Sequence, residues 1–285
     1  MANVNKTTVI EFVLLGFSSL HKLQIVVFCF VLLAYIICLL GNITIFLLVR
    51  IESSLHTPMY FFISTFAVLE IMYVSATAPK LLAILIQTDN TISFYCCFSQ
   101  SYAFNSLGQA ECFLLCLMVF DRYLAINKPL HYCTIMNSRF CSKLAVLPWL
   151  LGFTIAMFPT VNTFRSDFCG SNEINHFFCD LEPLQDIACS DQFVNIMASI
   201  GIKSKEGKMK AFSTCSSHLI VASLFYVSAI VVYVKPKGSH HDKFLALTYI
   251  LVIPAVNPFI YTFRNREVKN ALRKVVRQLI KQLQR

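Results

Sequence analysis

Charged residues are scarce in this chain, at 14% of its 285 residues against roughly a quarter in an ordinary soluble domain. Hydrophobic residues make up 56% of the chain, and they fall in blocks of about twenty or more. Blocks of that length are membrane spans by default, which argues against one large soluble core. We therefore predict an all-α membrane protein, because a helix satisfies all its backbone polar groups within one span.

Acidic residues are also few, with 15 against 24 lysines and arginines, for a formal net charge of +9. The basic residues lie in short loops and in the tail, as the positive-inside rule describes, so we expect no nucleic acid partner. No small-residue cleavage site follows the first apolar block, so we expect no cleavable signal peptide. Without a catalytic triad pattern, a phosphate-binding loop or an HExxH motif, we expect no enzyme, no cofactor and no metal site.

Six apolar blocks are long enough to cross a hydrocarbon layer of about 30 Å as helices. They cover residues 23–49, 58–82, 98–120, 143–164, 212–234 and 244–263. We expect residues 1–22 to form an extracellular amino-terminal segment and residues 23–263 to form the helical bundle. The tail, 264–285, is basic with apolar residues at helical spacing, which predicts an amphipathic helix on the anionic inner leaflet.

The charge of the loops predicts their side of the membrane. Loops 50–57 and 121–143 are basic and are expected in the cytoplasm together with the tail. Loops 83–97 and 165–191 carry mostly acidic charge and are expected outside. Asn5 begins an N-x-T sequon in the amino-terminal segment, so we expect a glycan at Asn5 on the outside.

One crossing is incomplete. Four spans return the chain to the outside at the acidic loop, yet the basic run 203–210 and the tail both belong in the cytoplasm. Both placements require a crossing between Asp191 and Lys203, where only eleven uncharged residues lie. Eleven helical residues reach about 17 Å, well short of about 30 Å. We therefore predict six full spans and a truncated fifth span at 191–202.

Four motifs resemble the signatures of odorant receptors. They are "LHTPMYFF" at 55–62, "DRYLAINKPLHY" at 121–132, "KAFSTCSSHL" at 210–219 and "PAVNPFIYTFRNREVKNAL" at 254–272. Such receptors are rhodopsin-like G-protein-coupled receptors, and the chain looks most like the class II, tetrapod type. Members of that family are longer than this chain. The missing length falls between "SDQFVNIMASI" and "KSKEGKMKAFSTC", where the fifth helix belongs.

The resemblance implies a function and a set of partners. The chain is expected at the plasma membrane, where it would bind small volatile odorants. It would then activate the olfactory stimulatory G protein and raise cAMP. The alternative is a non-signalling product of a deletion allele or decayed gene, retained in the endoplasmic reticulum, because the truncated span disturbs the order of crossings.

The resemblance also implies a switch for the G protein at the cytoplasmic ends of two spans. Its residues are Asp121, Arg122 and Tyr123 in the third span, and Asn257, Pro258 and Tyr261 in the last. We expect Asp121 to hold Arg122, because a charge at the membrane edge is costly unless it is paired. The alternatives are a solvated positive-inside charge at Arg122 and an ordinary proline kink at Pro258.

Two carboxylates, Glu70 and Glu111, lie in the middle of the second and third spans. A buried carboxylate must be neutral, paired or bound to a cation. The resemblance implies a sodium-type site that Asn42 and Asn257 would complete. The alternative is a pair of protonated acids that hydrogen-bond to their neighbours.

The ligand pocket implied by the resemblance lies among the outer halves of the spans, and we expect it to be mostly apolar. Its residues would be Phe104, Asn105, Gly108 and Gln109 in the third span, and Tyr226, Ile230 and Tyr233 in the sixth. The four from the third span share one helical face. The alternative role for each of these side chains is helix–helix packing.

Cysteines in the outside loops meet an oxidising lumen, so bridges are expected there, although spacing alone does not fix their pairing. The resemblance implies Cys97–Cys179, which joins the third span to the second outer loop. It also implies a second bridge, Cys169–Cys189. Cys96, next to Cys97, is the alternative partner.

Overall fold

The computed structural model describes residues 9–17, 23–86, 90–168, 171–188 and 242–283. Within them, five helices are long and apolar enough to cross a membrane. These five correspond to the first four predicted spans and the last one, which confirms the helical membrane fold. The predicted spans 191–202 and 212–234 lie outside the described residues.

The described chain contains nine α-helices and three short strands. The helices are α1 (Gln24–Ile51), α2 (Pro58–Leu85), α3 (Phe94–Asn127), α4 (Pro129–Ile135), α5 (Ser138–Arg165), α6 (Leu181–Asp186), α7 (Asp242–Leu247), α8 (Ile253–Arg264) and α9 (Arg266–Leu283). A π-helical turn at Thr248–Val252 joins α7 to α8 within the last span. The strands are β1 (Glu11–Leu14), β2 (Thr91–Ser93) and β3 (Glu173–Ile174).

The helices extend beyond the apolar blocks, and most of the 121–143 segment that was predicted as a loop is helical. Pro129 explains the break between α3 and α4. A residue before proline avoids the α conformation, and Lys128 has φ −134° and ψ 54°. Proline suits the first turn of a helix, because its missing N–H would have no partner there, and α4 begins at Pro129.

The chain divides into two compact units. Among the described residues, the first comprises those up to residue 33, those within 75–110 and those within 149–188, and the second comprises 34–74, 111–148 and 242–283. Four of the long helices, α1, α2, α3 and α5, contribute one part to each unit.

A three-stranded sheet, which the sequence did not predict, lies in the first unit. Its strand order is β2-β1-β3, with β1 antiparallel to β2 and parallel to β3. Along β1, Phe12 and Leu14 are buried while Glu11 is exposed, as the alternation of a strand requires. The two buried side chains join a hydrophobic core with Ile92 and Ile174 from the neighbouring strands.

Gly152 brings α5 against α3 in the first unit. A Cβ at this position would lie 2.6 Å from the Ser106 carbonyl oxygen and 2.7 Å from the Ala110 amide nitrogen. Both atoms are backbone atoms, so no side-chain rotation could relieve the clash. Small residues at such crossings let two helices approach closely within a membrane.

We expect Gly152→Ala to destabilise the protein by about 1–3 kcal/mol, because the added methyl must push the two backbones apart. Helix propensity alone predicts the opposite sign, a gain of about 1 kcal/mol. Thermal unfolding of the purified protein in detergent would show whether the substitution lowers or raises its stability. Leu150→Ala, at a side chain 61% exposed on the same helix, is the control and should shift the midpoint little. An unchanged or higher midpoint for Gly152→Ala would contradict the close approach.

Candidate functional site

A buried carboxylate pairs with an arginine guanidinium near the end of α3, in the second unit. Asp121 is fully buried, and its Oδ2 accepts hydrogen bonds from Arg122 Nε, at 2.8 Å, and from Arg122 Nη2. Its Oδ1 accepts a hydrogen bond of 2.6 Å from the Tyr132 hydroxyl. Both carboxylate oxygens are therefore engaged, and the guanidinium is held beside them with 24% of its side chain exposed.

Tyr132 was not among the predicted site residues, although it closes the motif that begins at Asp121. It lies on α4, which the proline break after α3 turns back toward Asp121. Burial and the hydrogen bond to Asp121 raise the pKa of Tyr132 above its ordinary value, so its hydroxyl remains a donor. Tyr123, which was predicted to belong to the switch, is 48% exposed.

The three predicted switch residues of the last span face α2 and α1 in the second unit. Asn257 is buried, and its Nδ2 donates to Glu70 Oε1. The ring of Tyr261 packs edge-on against Phe66, with centroids 6.1 Å apart. Pro258 lies against Gly41, where a Cβ would be 2.8 Å from the proline Cβ.

The structure brings together the four residues of the predicted cation site. Asn42 lies near Glu70, and Glu111 is close enough to Glu70 for their charges to interact. Three buried oxygens, Glu70 Oε2, Glu111 Oε1 and Asn257 Oδ1, have no hydrogen-bond partner among the described residues. Oxygens are the ligands that hard cations prefer, so this donor set fits such a cation. It equally fits protons shared between the acids.

No group of three or more histidine, cysteine or acidic residues arranged to hold a metal ion occurs in the part of the chain that the structure describes. The Glu70 and Glu111 pair falls short of such a group by itself. A cation here would therefore depend on the amide oxygens of asparagine as well as on the two carboxylates.

The predicted ligand face of α3 lies in the first unit and is partly covered by the second outer loop. Phe104 is 3% exposed, and its ring lies 4.7 Å from that of Phe178. Asn105 Nδ2 donates to the Ser101 carbonyl at 2.8 Å, while Gln109 Oε1 is buried without a partner among the described residues. Gly108 is half-buried. Tyr226, Ile230 and Tyr233 lie outside the described residues.

A disulfide fixes the second outer loop to α3. Cys97 and Cys179 are both fully buried, and their Cα atoms are 5.4 Å apart. Gln100, one turn after Cys97, accepts a hydrogen bond of 3.0 Å from the Cys179 amide and donates one of 2.9 Å to the Ala76 carbonyl. Cys96, the alternative partner, is exposed and forms no disulfide in the structure. Cys169, Cys189 and Asn5 lie outside the described residues.

Phe178, next to the disulfide, contacts the predicted ligand face, and the sequence did not predict this contact. His176, Phe177 and Phe178 form an aromatic group with ring centroids 4.5–5.2 Å apart, and Phe17 stacks on Phe177 at 5.5 Å. Asp180 follows, and burial raises its pKa to about 7. Its Oδ1 nevertheless accepts a hydrogen bond from the Leu181 amide at 2.7 Å, which caps α6.

Known proteins resemble this chain over nearly its whole length. A profile of the family described as "Olfactory receptor" matches residues 28–200 and 193–279. The mouse protein "Olfactory receptor 8U3" is 39% identical over 305 aligned positions, which cover 97% of this chain and 96% of the relative. The human "Olfactory receptor 10A5" is 42% identical over 310 positions, covering 98% of both chains.

The alignments also show that this chain is shorter between its matched ends. For mouse olfactory receptor 8U3, 97% of 285 residues is about 276, roughly 29 fewer than the 305 aligned positions. The two matches of the family profile meet at residues 193–200, beside the truncated fifth span that the sequence predicts. The chain belongs to the olfactory receptor family of rhodopsin-like G-protein-coupled receptors, which are multi-pass plasma-membrane proteins and not enzymes.

Proposed function

We propose that this chain binds small volatile molecules and activates the olfactory stimulatory G protein, which raises cAMP. The observation that carries this proposal is the pairing of Arg122 with the buried Asp121. A guanidinium held by a carboxylate and partly exposed can be released to another acceptor when the helices rearrange. A ligand would shift that equilibrium only by its differential affinity for the two states.

The ligand site in this proposal is the face of α3 that includes Phe104, Asn105, Gly108 and Gln109. The contact between Phe104 and Phe178 supplies an aromatic wall. The unpartnered oxygen of Gln109 supplies an acceptor for a ligand hydroxyl or amine. A mostly apolar site with few polar groups favours a small molecule that carries one polar function.

The polar cluster of Asn42, Glu70, Glu111 and Asn257 is proposed to hold a monovalent cation such as sodium, or protons. Its orphaned oxygens support this role, because unpaired buried acceptors are costly unless a cation or proton satisfies them. Asn257 belongs to both this cluster and the proline switch of the last span. A cation or proton that enters or leaves this cluster would therefore alter a contact of the helix that carries Pro258 and Tyr261.

A second candidate function is that of a non-signalling chain retained in the endoplasmic reticulum. The shortfall of about 29 aligned positions favours it, because a helix needs about 20 residues to span the membrane. Without that crossing, the tail and Arg122 would lie on opposite sides.

Tail topology would test the two candidates first. Epitope tags before Met1 and after Arg285 would be stained in intact cells and in permeabilised cells. An exposed amino end with a tail stained only after permeabilisation supports the receptor. A tail exposed on intact cells, or no surface staining of either tag, supports the second candidate.

The signalling test would measure cAMP in cells that express the chain with the stimulatory G protein during an odorant-mixture screen. The receptor proposal expects a response that Arg122→Ala abolishes. Arg139→Ala, another basic residue at the cytoplasmic end of a span, should retain it. A response of equal size in Arg122→Ala would contradict the proposed role of Arg122.

A further inference from the structure

The start of the C-terminal helix α9 is attached to α2 by a buried tyrosine. Tyr60 is 2% exposed, and its hydroxyl donates to Glu267 Oε2 at 2.6 Å. The same hydroxyl lies 3.0 Å from Asn265 Oδ1. Tyr60 is part of the motif at 55–62, and neither the proposed ligand site nor the switch accounts for it.

Asn265 caps α9 by the arrangement that stabilises helix amino-termini. Its backbone is extended, with φ −101° and ψ 109°. Its Oδ1 accepts hydrogen bonds from the Glu267 amide at 3.0 Å and from the Val268 amide at 3.4 Å. Glu267 lies in the first turn, where its negative charge interacts favourably with the positive end of the helix dipole. The Tyr60 hydroxyl therefore contacts the two side chains that determine where α9 begins.

A second attachment lies two turns further along α9. Lys274 Nζ is 3.0 Å from Glu52 Oε1, and the side chain of Glu52 is only 9% exposed. Val268 and Ala271 are buried between the two attachments. One contact at the first turn and another at the third determine the direction of the helix as well as its origin.

We propose that Tyr60 is a positioning residue for α9, which it holds through Asn265 and Glu267, while Glu52 holds the same helix through Lys274. The helix is thereby fixed to α2 and to the turn that precedes it, and not only to the end of the last span. The opposite side of α9 exposes Arg273, Val276, Arg277 and Ile280. Tyr60 therefore sets the direction in which α9 presents these basic and apolar side chains.

Hydrogen exchange would test this role directly, because it needs no ligand and no signalling. The full chain would be placed in phosphatidylcholine nanodiscs, and amide exchange would be followed by mass spectrometry. In Tyr60→Phe we expect the amides of residues 266–271 to exchange about fivefold faster, the effect of losing one hydrogen bond. The ring remains, so exchange in α2 and α3 should not change.

Variants at Glu267 separate hydrogen bonding from packing and from charge. Glu267→Leu removes the acceptor and should reproduce the effect of Tyr60→Phe. Glu267→Gln keeps an acceptor oxygen and should stay within about twofold of the unmodified chain. The control Tyr95→Phe, at a ring 79% exposed, should leave α9 unchanged.

Three results would overturn the proposal. The first is unchanged exchange at 266–271 in both Tyr60→Phe and Glu267→Leu. The second is equal acceleration in α2 and α3, which would make Tyr60 a general packing residue. The third is the same acceleration in Glu267→Gln as in Glu267→Leu, because the hydrogen bond would then not be the interaction that positions the helix.

Discussion

Cys97→Ser is expected to lower the stability of the folded receptor by about 4 kcal/mol and to remove most of it from the cell surface. The bridge from Cys97 to Cys179 closes a segment of 82 residues, so its loss frees a long loop in the unfolded chain. Both half-cystines are also buried in the core beneath the sheet, where a serine hydroxyl would have to find a partner.

Surface staining and thermal unfolding in detergent would measure this prediction together. Cys179→Ser should match Cys97→Ser, and the double variant should be no worse than either, because all three lose the same bond. Gln100 still holds the Cys179 amide in each of them. Any folded remainder should therefore keep the outer loop near α3.

The matched control is the neighbouring Cys96→Ser. Cys96 is exposed and unbridged in the structure, so its replacement should change neither surface staining nor the unfolding midpoint. If Cys96→Ser were damaging while Cys97→Ser were tolerated, the alternative pairing through Cys96 would be correct. A stable, surface-expressed Cys97→Ser would show that the bridge contributes little.

The five described spans were predictable from the sequence, because each contains a long apolar block that its helix overlaps. The three-stranded sheet was not predictable. Its strands have four, three and two residues, too few for an alternating pattern to appear, and they pair segments far apart in the chain. The π-helical turn at Thr248–Val252 likewise has no apolar signature distinct from the helix around it.

Only the contacts between residues of one sequence motif were predictable at the site. Asp121 and Arg122 are adjacent in sequence, so their pairing follows from the cost of an unpaired charge. The partnership of Asp121 with Tyr132 depends on the break before Pro129, which turns α4 back. Likewise, Phe178 reaches Phe104 only because the disulfide and Gln100 fix the loop. Such contacts depend on tertiary geometry, which periodicity does not encode.

The truncated fifth span was predicted from the charge of two segments and the length of chain between them. The basic run after Lys203 and the acidic loop before Asp191 require opposite sides of the membrane, and eleven residues cannot separate them. The alignment with mouse olfactory receptor 8U3 has roughly 29 more positions than this chain contributes, and the two profile matches overlap at 193–200.

Asp121→Ala is expected to destabilise the receptor by about 3 kcal/mol. The value lies at the low end for breaking a buried ion pair, because Arg122 keeps some contact with solvent. The substitution leaves both the guanidinium and the Tyr132 hydroxyl without their acceptor. Thermal unfolding of the purified protein would measure the loss.

Two milder variants divide that loss between charge and hydrogen bonding. Asp121→Asn keeps an acceptor oxygen and removes the charge, so its effect should be intermediate. Tyr132→Phe removes one hydrogen bond and should cost only about 0.5–1.5 kcal/mol. A loss from Tyr132→Phe as large as that from Asp121→Ala would mean that α4, and not Arg122, is what Asp121 stabilises.

The double variant Asp121→Ala/Arg122→Ala tests most directly whether Arg122 depends on Asp121. If the cost of Asp121→Ala comes from an uncompensated arginine, removing that arginine as well should recover stability, so the double variant should unfold at a higher temperature than the single one. If the two losses simply add, the guanidinium is already satisfied by water and does not depend on Asp121. Arg122 would then be a solvated positive charge, and the proposed release of Arg122 during activation would lose its physical basis.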